Sequence, residues 1–248
     1  MTKKVMKIIF VVFIWLSIWQ FISYLTGLEL IIASPVKVFI SFFSLLKTQL
    51  FYKCMINSFV KIILGFMIAF VTGIIFATAA HQFQFIKEFL SPLIYLTKAL
   101  PVVSFIILLL IWAGSKNLSV LISFIVVFPM IYIGTLEGFN NLDIKLLEMS
   151  KVFRMGWLKK ARYIYAPEIF PYIISNCKIA LGMCWKAGIS AEVIGLPSKS
   201  IGEQMYLSKL YLMTDDLLAW SIAIIIVSVI FEKLFLIILN GIRKGLEN

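Results

Sequence analysis

The stretch LSVLISFIVVFPMIYIGTL, Leu118–Leu136, decides the fold class. It contains no charged residue, and as a helix it is long enough to cross the ~30 Å hydrocarbon core of a bilayer. Lipid offers no partner to unpaired backbone groups, and the stretch lacks the alternation of a barrel strand. The sequence therefore predicts a transmembrane helix here.

Five other apolar stretches of near-spanning length flank this one along the chain. They are Ile8–Leu25, Ser58–Ala80, Phe89–Ala113, Tyr172–Ile194 and Leu217–Leu239. Lys98 and Pro101 interrupt the third span in chain order, so its first part, Phe85–Ala99, could instead lie along the membrane interface. The predicted fold class is an all-α integral membrane protein with about six transmembrane helices.

The composition supports a bilayer as the solvent of this chain. Of 248 residues, 62% are hydrophobic and 14% are charged, and the mean hydropathy is +1.02. A soluble domain has roughly 45–50% apolar and 25% charged residues. The net charge of +11 would suggest nucleic acid in a soluble protein. In a membrane protein it indicates basic cytoplasmic loops, so we expect membrane lipid and no nucleic acid as a partner.

Lysine and arginine also predict the orientation of the chain. With a cytoplasmic N-terminus, thirteen of them fall in inner segments and six in outer segments. Cytoplasmic loops carry the basic excess, so both termini are predicted to be cytoplasmic. The three cysteines and the single histidine have no metal-ligand spacing, and neither a metal site nor a disulfide framework is predicted.

The chain divides into three predicted segments. Residues 1–50 hold the first span and an outer segment in which Ser34-Pro35 starts a short amphipathic helix over Val36–Leu46. Residues 51–240 form the transmembrane domain, and residues 241–248 form a cytoplasmic tail. The inner loop at about 137–171 is the most polar part of the chain.

The inner loop has the pattern of a helix, a turn and a second helix outside the membrane. Four apolar residues at helical spacing predict one face of the first helix: Leu142, Leu146, Met149 and Phe153. Gly156 permits a turn, and Trp157–Ile164 can form the second helix. From the residues alone, two interpretations stay open: a basic loop held by anionic lipid, or an apolar ridge that inserts into a groove on a cytoplasmic partner.

The loop resembles a known motif. Glu148-Met-Ser-Lys-Val-Phe-Arg-Met-Gly-Trp, continuing to Ile164-Tyr-Ala-Pro167, resembles the EAA loop of bacterial ABC importer permeases. Glu148, Ser150, Ile164 and Pro167 lie at matching positions. The glycine of the family pattern falls on Arg154, and its leucine is Ala166. Because Gly156 follows two residues later, we expect the turn to have moved to that glycine.

Further blocks resemble the permeases for nitrate, sulfonate, taurine and bicarbonate, which are binding-protein-dependent inner-membrane components with a MetI-like fold. They are Asn57–Phe66, Ser91–Pro101, Trp112–Gly114 and Trp185–Gly195. The resemblance implies a permease subunit in the bacterial cytoplasmic membrane that pairs with a second permease copy in a homodimer. It also implies two ABC ATPase subunits and an extracytoplasmic substrate-binding protein as partners.

In that family the EAA loop is the coupling helix, seated in a cleft of the ATPase. The resemblance assigns this coupling role to Leu142, Leu146, Glu148, Met149, Ser150, Phe153, Arg154, Gly156, Ile164 and Pro167. The chain has no Gly-x-x-x-x-Gly-Lys-Ser/Thr phosphate loop. We therefore expect no cofactor and no enzymatic activity in this chain, with ATP and Mg bound by the partner ATPase.

Ionisable residues inside membrane spans are costly and are functional candidates by default. The candidates for a translocation path are Lys61, Lys98, Lys186 and Glu192. Glu192 could equally pair with Lys186 or Lys61, and Lys98 could extend to the interface from a helix lying there. The excess of lysine favours a small anionic solute, in line with the sulfonate, taurine and nitrate permeases.

Other functions stay open at this point. Related permeases import vitamin or aromatic precursors of the thiamine-pyrimidine or riboflavin type. An ATP-independent secondary transporter or channel would have no evident use for the polar loop. An intramembrane enzyme would need a paired constellation, and the spans between Phe89 and Ile194 contain neither aspartate nor histidine.

Overall fold

The computed structural model describes residues 2–26 and 32–247, and these residues form α-helices, one π-helical turn and short connections. The helices are α1 (Thr2–Thr26), α2 (Pro35–Leu45), α3 (Gln49–Gln82), α4 (Gln84–Ala99), α5 (Val102–Ala113), α6 (Leu118–Asn140), α7 (Ile144–Val152), α8 (Trp157–Lys160), α9 (Ala166–Gly195), α10 (Ile201–Leu210) and α11 (Thr214–Glu247). The π-helical turn, Ala161–Tyr165, joins α8 to α9. The all-α prediction is confirmed.

Three long helices, α3, α6 and α9, form the centre of the bundle, with α6 packed along both of the others. Small residues let their backbones approach closely. A Cβ on Gly65 of α3 would lie 2.4 Å from the backbone oxygen of Val120, and one on Gly188 of α9 would lie 2.7 Å from Ile62. The glycines therefore fix how closely α3 packs against α6 and α9.

The remaining helices surround this centre. Phe235 of α11 packs edge-on against Phe66 of α3, with ring centroids 5.0 Å apart. The amphipathic helix α2 lies against α11, where the Ser41 hydroxyl donates a 2.6 Å hydrogen bond to Asp215. Most of the side chains of α1 that the structure describes are exposed. This arrangement leaves a broad apolar exterior, as a membrane protein requires.

The outer segment is more helical than predicted. The helix expected over Val36–Leu46 is confirmed as α2, which begins at Pro35, and the Ser34 hydroxyl caps it by accepting from the backbone N–H of Lys37. Residues 27–31 of the predicted outer segment lie outside the described residues. The span predicted over Ser58–Ala80 begins earlier than expected, because the Thr48 hydroxyl caps α3 and starts that helix at Gln49.

Four described segments are long and apolar enough to cross a membrane: Ile9–Thr26, Gln49–Gln82, Leu118–Asn140 and Thr214–Gly245. The predicted third span is broken, because α4 and α5 meet at 108°. Pro101 has no backbone N–H to continue α4, and the residue before it, Leu100, is extended with φ −86° and ψ 138°.

The predicted fifth span lies within α9, which has 30 residues. This span is less apolar than the four segments above and carries three charged residues, Lys178, Lys186 and Glu192. In the predicted tail at 241–248, the described residues are helical, since α11 continues to Glu247. The six predicted spans therefore correspond to the four segments named above, to the bent pair of α4 and α5, and to α9.

Contacts between the long helices define two ends of the bundle. At one end, which we call the loop end, His81 of α3 stacks on Phe139 of α6 next to the π-helical turn. At the opposite end, Ser58 of α3 meets Glu192 of α9. The polar loop therefore lies far along the bundle from Glu192, and α9 runs between them.

Candidate functional site

The first helix of the polar loop, α7, begins at a capped residue. Asp143 precedes it and accepts a 2.8 Å hydrogen bond from the backbone N–H of Lys145. The helix ends at Val152, so Leu142 lies before it and Phe153 after it. The helix predicted over Leu142–Phe153 is present but shorter at both ends.

The four predicted ridge residues do not share one exposed face. Leu142 is 8% exposed and Leu146 is half-buried, whereas Met149 is 41% and Phe153 is 73% exposed. Helical spacing applies only inside a helix, and Leu142 and Phe153 both lie outside α7. The prediction of a single ridge from Leu142 to Phe153 is therefore wrong.

The large apolar side chains exposed on the loop include only Met149 and Phe153 of the predicted ridge, and we call the exposed set the loop apolar surface. Its members are Ile144, Met149, Val152, Phe153, Trp157 and Leu158. Residues 153–159 also line a concave region of about 590 Å³ at the turn. A concentration of exposed large apolar side chains on a polar segment is typical of a contact site.

The turn between α7 and α8 is closed by Arg154. Its backbone is left-handed, with φ 48°, and its N–H donates to Lys151 O at 3.0 Å while the N–H of Met155 donates to Ser150 O at 2.9 Å. This pair of bonds is the Schellman helix ending, which usually has glycine at the left-handed position.

The prediction that the turn had moved to Gly156 is therefore wrong. Gly156 has an ordinary φ of −63° and precedes α8. The left-handed residue is Arg154, at the position where the EAA pattern has its glycine. A non-glycine residue in this conformation costs roughly 1–2 kcal/mol, and the surrounding hydrogen bonds hold it there.

Other motif positions attach the loop to the bundle or face outward. Ser150 is buried and its hydroxyl donates a 2.6 Å hydrogen bond to Leu147 O, and Ile164 in the π-helical turn is buried as well. Glu148 is exposed. Pro167 lies in the first turn of α9, where proline is tolerated. The chain runs from Trp157 through the π-helical turn into α9, so the predicted second helix is the start of a long one.

At the opposite end, Glu192 is fully buried in a cluster of hydrogen bonds. The hydroxyls of Ser58 and Ser119 donate to its carboxylate at 2.6 and 3.2 Å, and the N–H of Gly202 donates at 3.3 Å. Ser58 in turn accepts a 3.0 Å hydrogen bond from the N–H of Ile201. We call this set the Glu192 cluster, and it joins α3, α6, α9 and the start of α10.

The hydrogen-bond donors to Glu192 among the described residues are serine hydroxyls and a backbone N–H rather than a lysine. Lys186 is exposed, and the half-buried Lys61 interacts with the carboxylate through its charge. Ser58, Ser119 and Gly202 were not predicted as site residues. Ser58 and Ser119 are visible in the sequence as serines inside otherwise apolar stretches. A single sequence does not show that they contact Glu192.

Lys98 lies apart from both regions, at the break between α4 and α5. It is exposed and lines a cavity of about 330 Å³, together with Pro101 and residues of α6 such as Pro129. The four predicted path residues are therefore not brought together within one chain. Lys61 and Lys186 lie on α3 and α9, and Glu192 is closed off in its cluster.

These features define the class as a multi-pass, all-α membrane protein with a polar helix-turn-helix loop at one end. Residues 62–247 match the family described as binding-protein-dependent transport system inner membrane component, and the chain belongs to that family.

Relatives of the chain are transport permeases. SsuC of Bacillus subtilis (strain 168), named as an aliphatic sulfonates transport permease, is 24% identical over 82% of this chain and 74% of its own length. The nitrate import permease NrtB of Synechococcus elongatus is 23% identical over 73% of this chain and 68% of its own length. A protein of Haemophilus influenzae named as an ABC transporter permease is 23% identical over 92% of both chains.

Proposed function

We propose that this chain is the permease subunit of an ATP-driven ABC importer, and that its polar loop docks into an ATPase subunit. The loop apolar surface carries the proposal. It presents the exposed large apolar side chains that a helix-in-groove contact buries in the partner, next to a concave region at the turn. Met149 and Phe153 supply apolar contacts, with Glu148 and Arg154 as polar anchors beside them.

The buried motif residues contribute to coupling by attaching the loop to the bundle. Leu142, Ser150 and Ile164 are buried against the chain, and Leu146 is partly so. A loop held in this way moves with the bundle instead of swinging freely. The proposal therefore divides the motif into residues that contact the ATPase and residues that attach the loop.

A continuous helical segment connects the loop to the Glu192 cluster. The segment from Trp157 through the π-helical turn to Gly195 is helical without a break. A displacement at Trp157 is thus carried along α9 to the Glu192 cluster, where α10 is attached. ATP-driven closure of the partner would bias the bundle between two arrangements in this way.

The partners follow from the same proposal. A second copy of the chain forms a homodimer, each copy docks one ATPase, and a binding protein delivers the solute from outside. ATP and Mg are bound by the ATPases. The loop end, with both termini of the chain, faces the cytoplasm, in agreement with its basic residues.

The cargo we propose is a small anion of the sulfonate, taurine or nitrate type. Two relatives are named for aliphatic sulfonates and nitrate, which are anions. In this chain Lys98 is exposed beside the cavity at the α4–α5 break, where it can attract an anion.

ATP hydrolysis by the complex in vesicles tests the proposal. The chain would be reconstituted with its ATPase and binding protein, and the binding protein loaded in turn with an aliphatic sulfonate, taurine or nitrate. We expect stimulation by one loaded binding protein and accumulation of that solute only with ATP. Uptake that proceeds without ATP would favour a secondary transporter and overturn the proposal.

A further inference from the structure

A cavity of about 530 Å³ lies at the loop end, between the bundle and the polar loop. The bundle supplies the ends of α3 and α6, including His81, Thr135 and Phe139, and the first two turns of α9. The loop side supplies Trp157 and the π-helical turn. The volume is that of an ordinary small-molecule site. Neither the Glu192 cluster nor the proposed docking of the loop gives this cavity a role.

One wall of the cavity is aromatic and ordered. The His81 ring stacks on Phe139 with centroids 4.5 Å apart and an angle of 14° between the planes. Tyr165 meets both rings edge-on, at 6.3 Å from His81 and 5.8 Å from Phe139. Such rings, fixed by one another, present flat surface with little conformational entropy left to lose on binding.

The cavity also holds a polar group without a partner. The Thr135 hydroxyl is in a residue 1% exposed, and it has no hydrogen-bond partner among the described residues. A buried hydroxyl in this state is unfavourable until something binds to it. His81, Gln82 and Trp157 are exposed where the cavity opens, so a small molecule can enter from the loop end.

We infer that this cavity is a binding site for a planar aromatic small molecule that carries one hydrogen-bonding substituent. The ring packs on the aromatic wall formed by His81, Phe139 and Tyr165. The substituent bonds to the Thr135 hydroxyl, which is buried in the free chain and turns toward the cavity by rotation of its side chain. Because Trp157 and the π-helical turn line one side of the cavity, and α3, α6 and the start of α9 line the rest, a bound molecule holds the loop against the bundle. On the proposed function, the ligand is an effector that restrains coupling to the ATPase.

Fluorine NMR of the chain in lipid nanodiscs tests the site directly, with 4-fluorophenol as the probe and fluorobenzene as the matched ring without a hydroxyl. We expect saturable binding of 4-fluorophenol and binding of fluorobenzene about fivefold weaker, the effect of one hydrogen bond. Thr135→Val should weaken 4-fluorophenol by a similar factor, and Ala161→Phe, which fills the cavity from the π-helical turn, should abolish saturable binding.

Ser123→Ala is the control, because Ser123 is a buried hydroxyl of the same helix, α6, that does not line the cavity. It should leave the affinity unchanged. Equal affinity in the native chain and in Thr135→Val, or saturable binding that survives Ala161→Phe, would overturn the inference. So would a fluorinated fatty acid that displaces the probe at lower concentration, which would identify the site as a lipid-chain groove. The readout needs neither ATP nor a partner, so its failure is distinct from failure of the importer proposal.

Discussion

The hydroxyl of Ser58 donates a 2.6 Å hydrogen bond to the carboxylate of Glu192, and this contact joins α3 to α9 inside the bundle. The same carboxylate accepts from Ser119 of α6 and from the backbone of α10. A buried carboxylate is stable only when its hydrogen bonds are made, so each of these donors stabilises the others.

Replacing Glu192 by leucine should therefore destabilise the fold. The change leaves two serine hydroxyls and the N–H of Gly202 without an acceptor, which by the usual penalty for buried unsatisfied groups is about 2–4 kcal/mol. Thermal unfolding in detergent should show a lower midpoint. Glu88→Leu, at an exposed glutamate of α4, is the control and should change the midpoint little. Equal midpoints for the two variants would show that the cluster does not stabilise the bundle.

Gly202→Ala should also destabilise, through a steric effect. A Cβ there would lie 2.3 Å from the Cβ of Glu192 and 2.4 Å from the backbone nitrogen of Val193, so α10 must move away from α9. Overpacking of this kind costs roughly 1–3 kcal/mol. Gly241→Ala on α11, where a Cβ meets nothing within 4 Å, is the matched control. A Gly202→Ala variant as stable as the native chain would contradict the described crossing of α9 and α10.

Arg154→Gly should stabilise the loop, because glycine adopts the left-handed conformation at φ 48° without strain. The gain in folding free energy is about 0.5–1 kcal/mol after the greater freedom of glycine in the unfolded chain is subtracted. Slower hydrogen exchange of the Met155 amide, whose bond to Ser150 closes the turn, is the measurement. Faster exchange at Met155 would contradict this geometry.

Gly156→Ala is the comparison variant for the turn. Its φ is −63° and a Cβ there meets nothing within 4 Å, so alanine fits without a shift. Exchange at Met155 should stay near its native rate. A large change would place the turn at Gly156 after all.

Lys98→Gln should reduce uptake of an anionic solute severalfold while the ATPase remains stimulated by the loaded binding protein. The expected reason is loss of the positive charge beside the cavity at the α4–α5 break. Solute uptake per ATP hydrolysed in vesicles is the measurement. Lys178→Gln, at an exposed lysine of α9 that does not line this cavity, is the control. Equal coupling ratios in both variants would remove Lys98 from the path.

The elements of this fold were predictable where one local signal decides them. The charge-free stretch Leu118–Leu136 and the Ser34-Pro35 helix start lie in α6 and α2 as expected. The break at Pro101 was visible as an interruption of the third span. Its angle of 108° was not, because proline ends a helix without setting the direction of the next one.

The site was less predictable because it depends on contacts between distant residues. Glu192 was recognised as costly, but its partners Ser58 and Ser119 lie on other helices, and serine is common in spans. In the loop, helical spacing assigned Leu142 and Phe153 to one face although both lie outside α7. The turn was likewise predicted at Gly156 rather than at Arg154, because arginine is rarely found in the left-handed conformation.

The central claim is that the loop apolar surface docks into an ATPase subunit, and co-purification of that subunit with the tagged chain tests it most directly. Phe153→Asp places a charge on an exposed apolar contact, and Leu210→Asp makes the same change at an exposed leucine at the opposite end of the bundle. We predict that the Phe153→Asp variant inserts into the membrane but co-purifies with at least tenfold less ATPase subunit than the native chain. The Leu210→Asp variant should co-purify with the native amount. Undiminished ATPase in the Phe153→Asp complex would contradict the account.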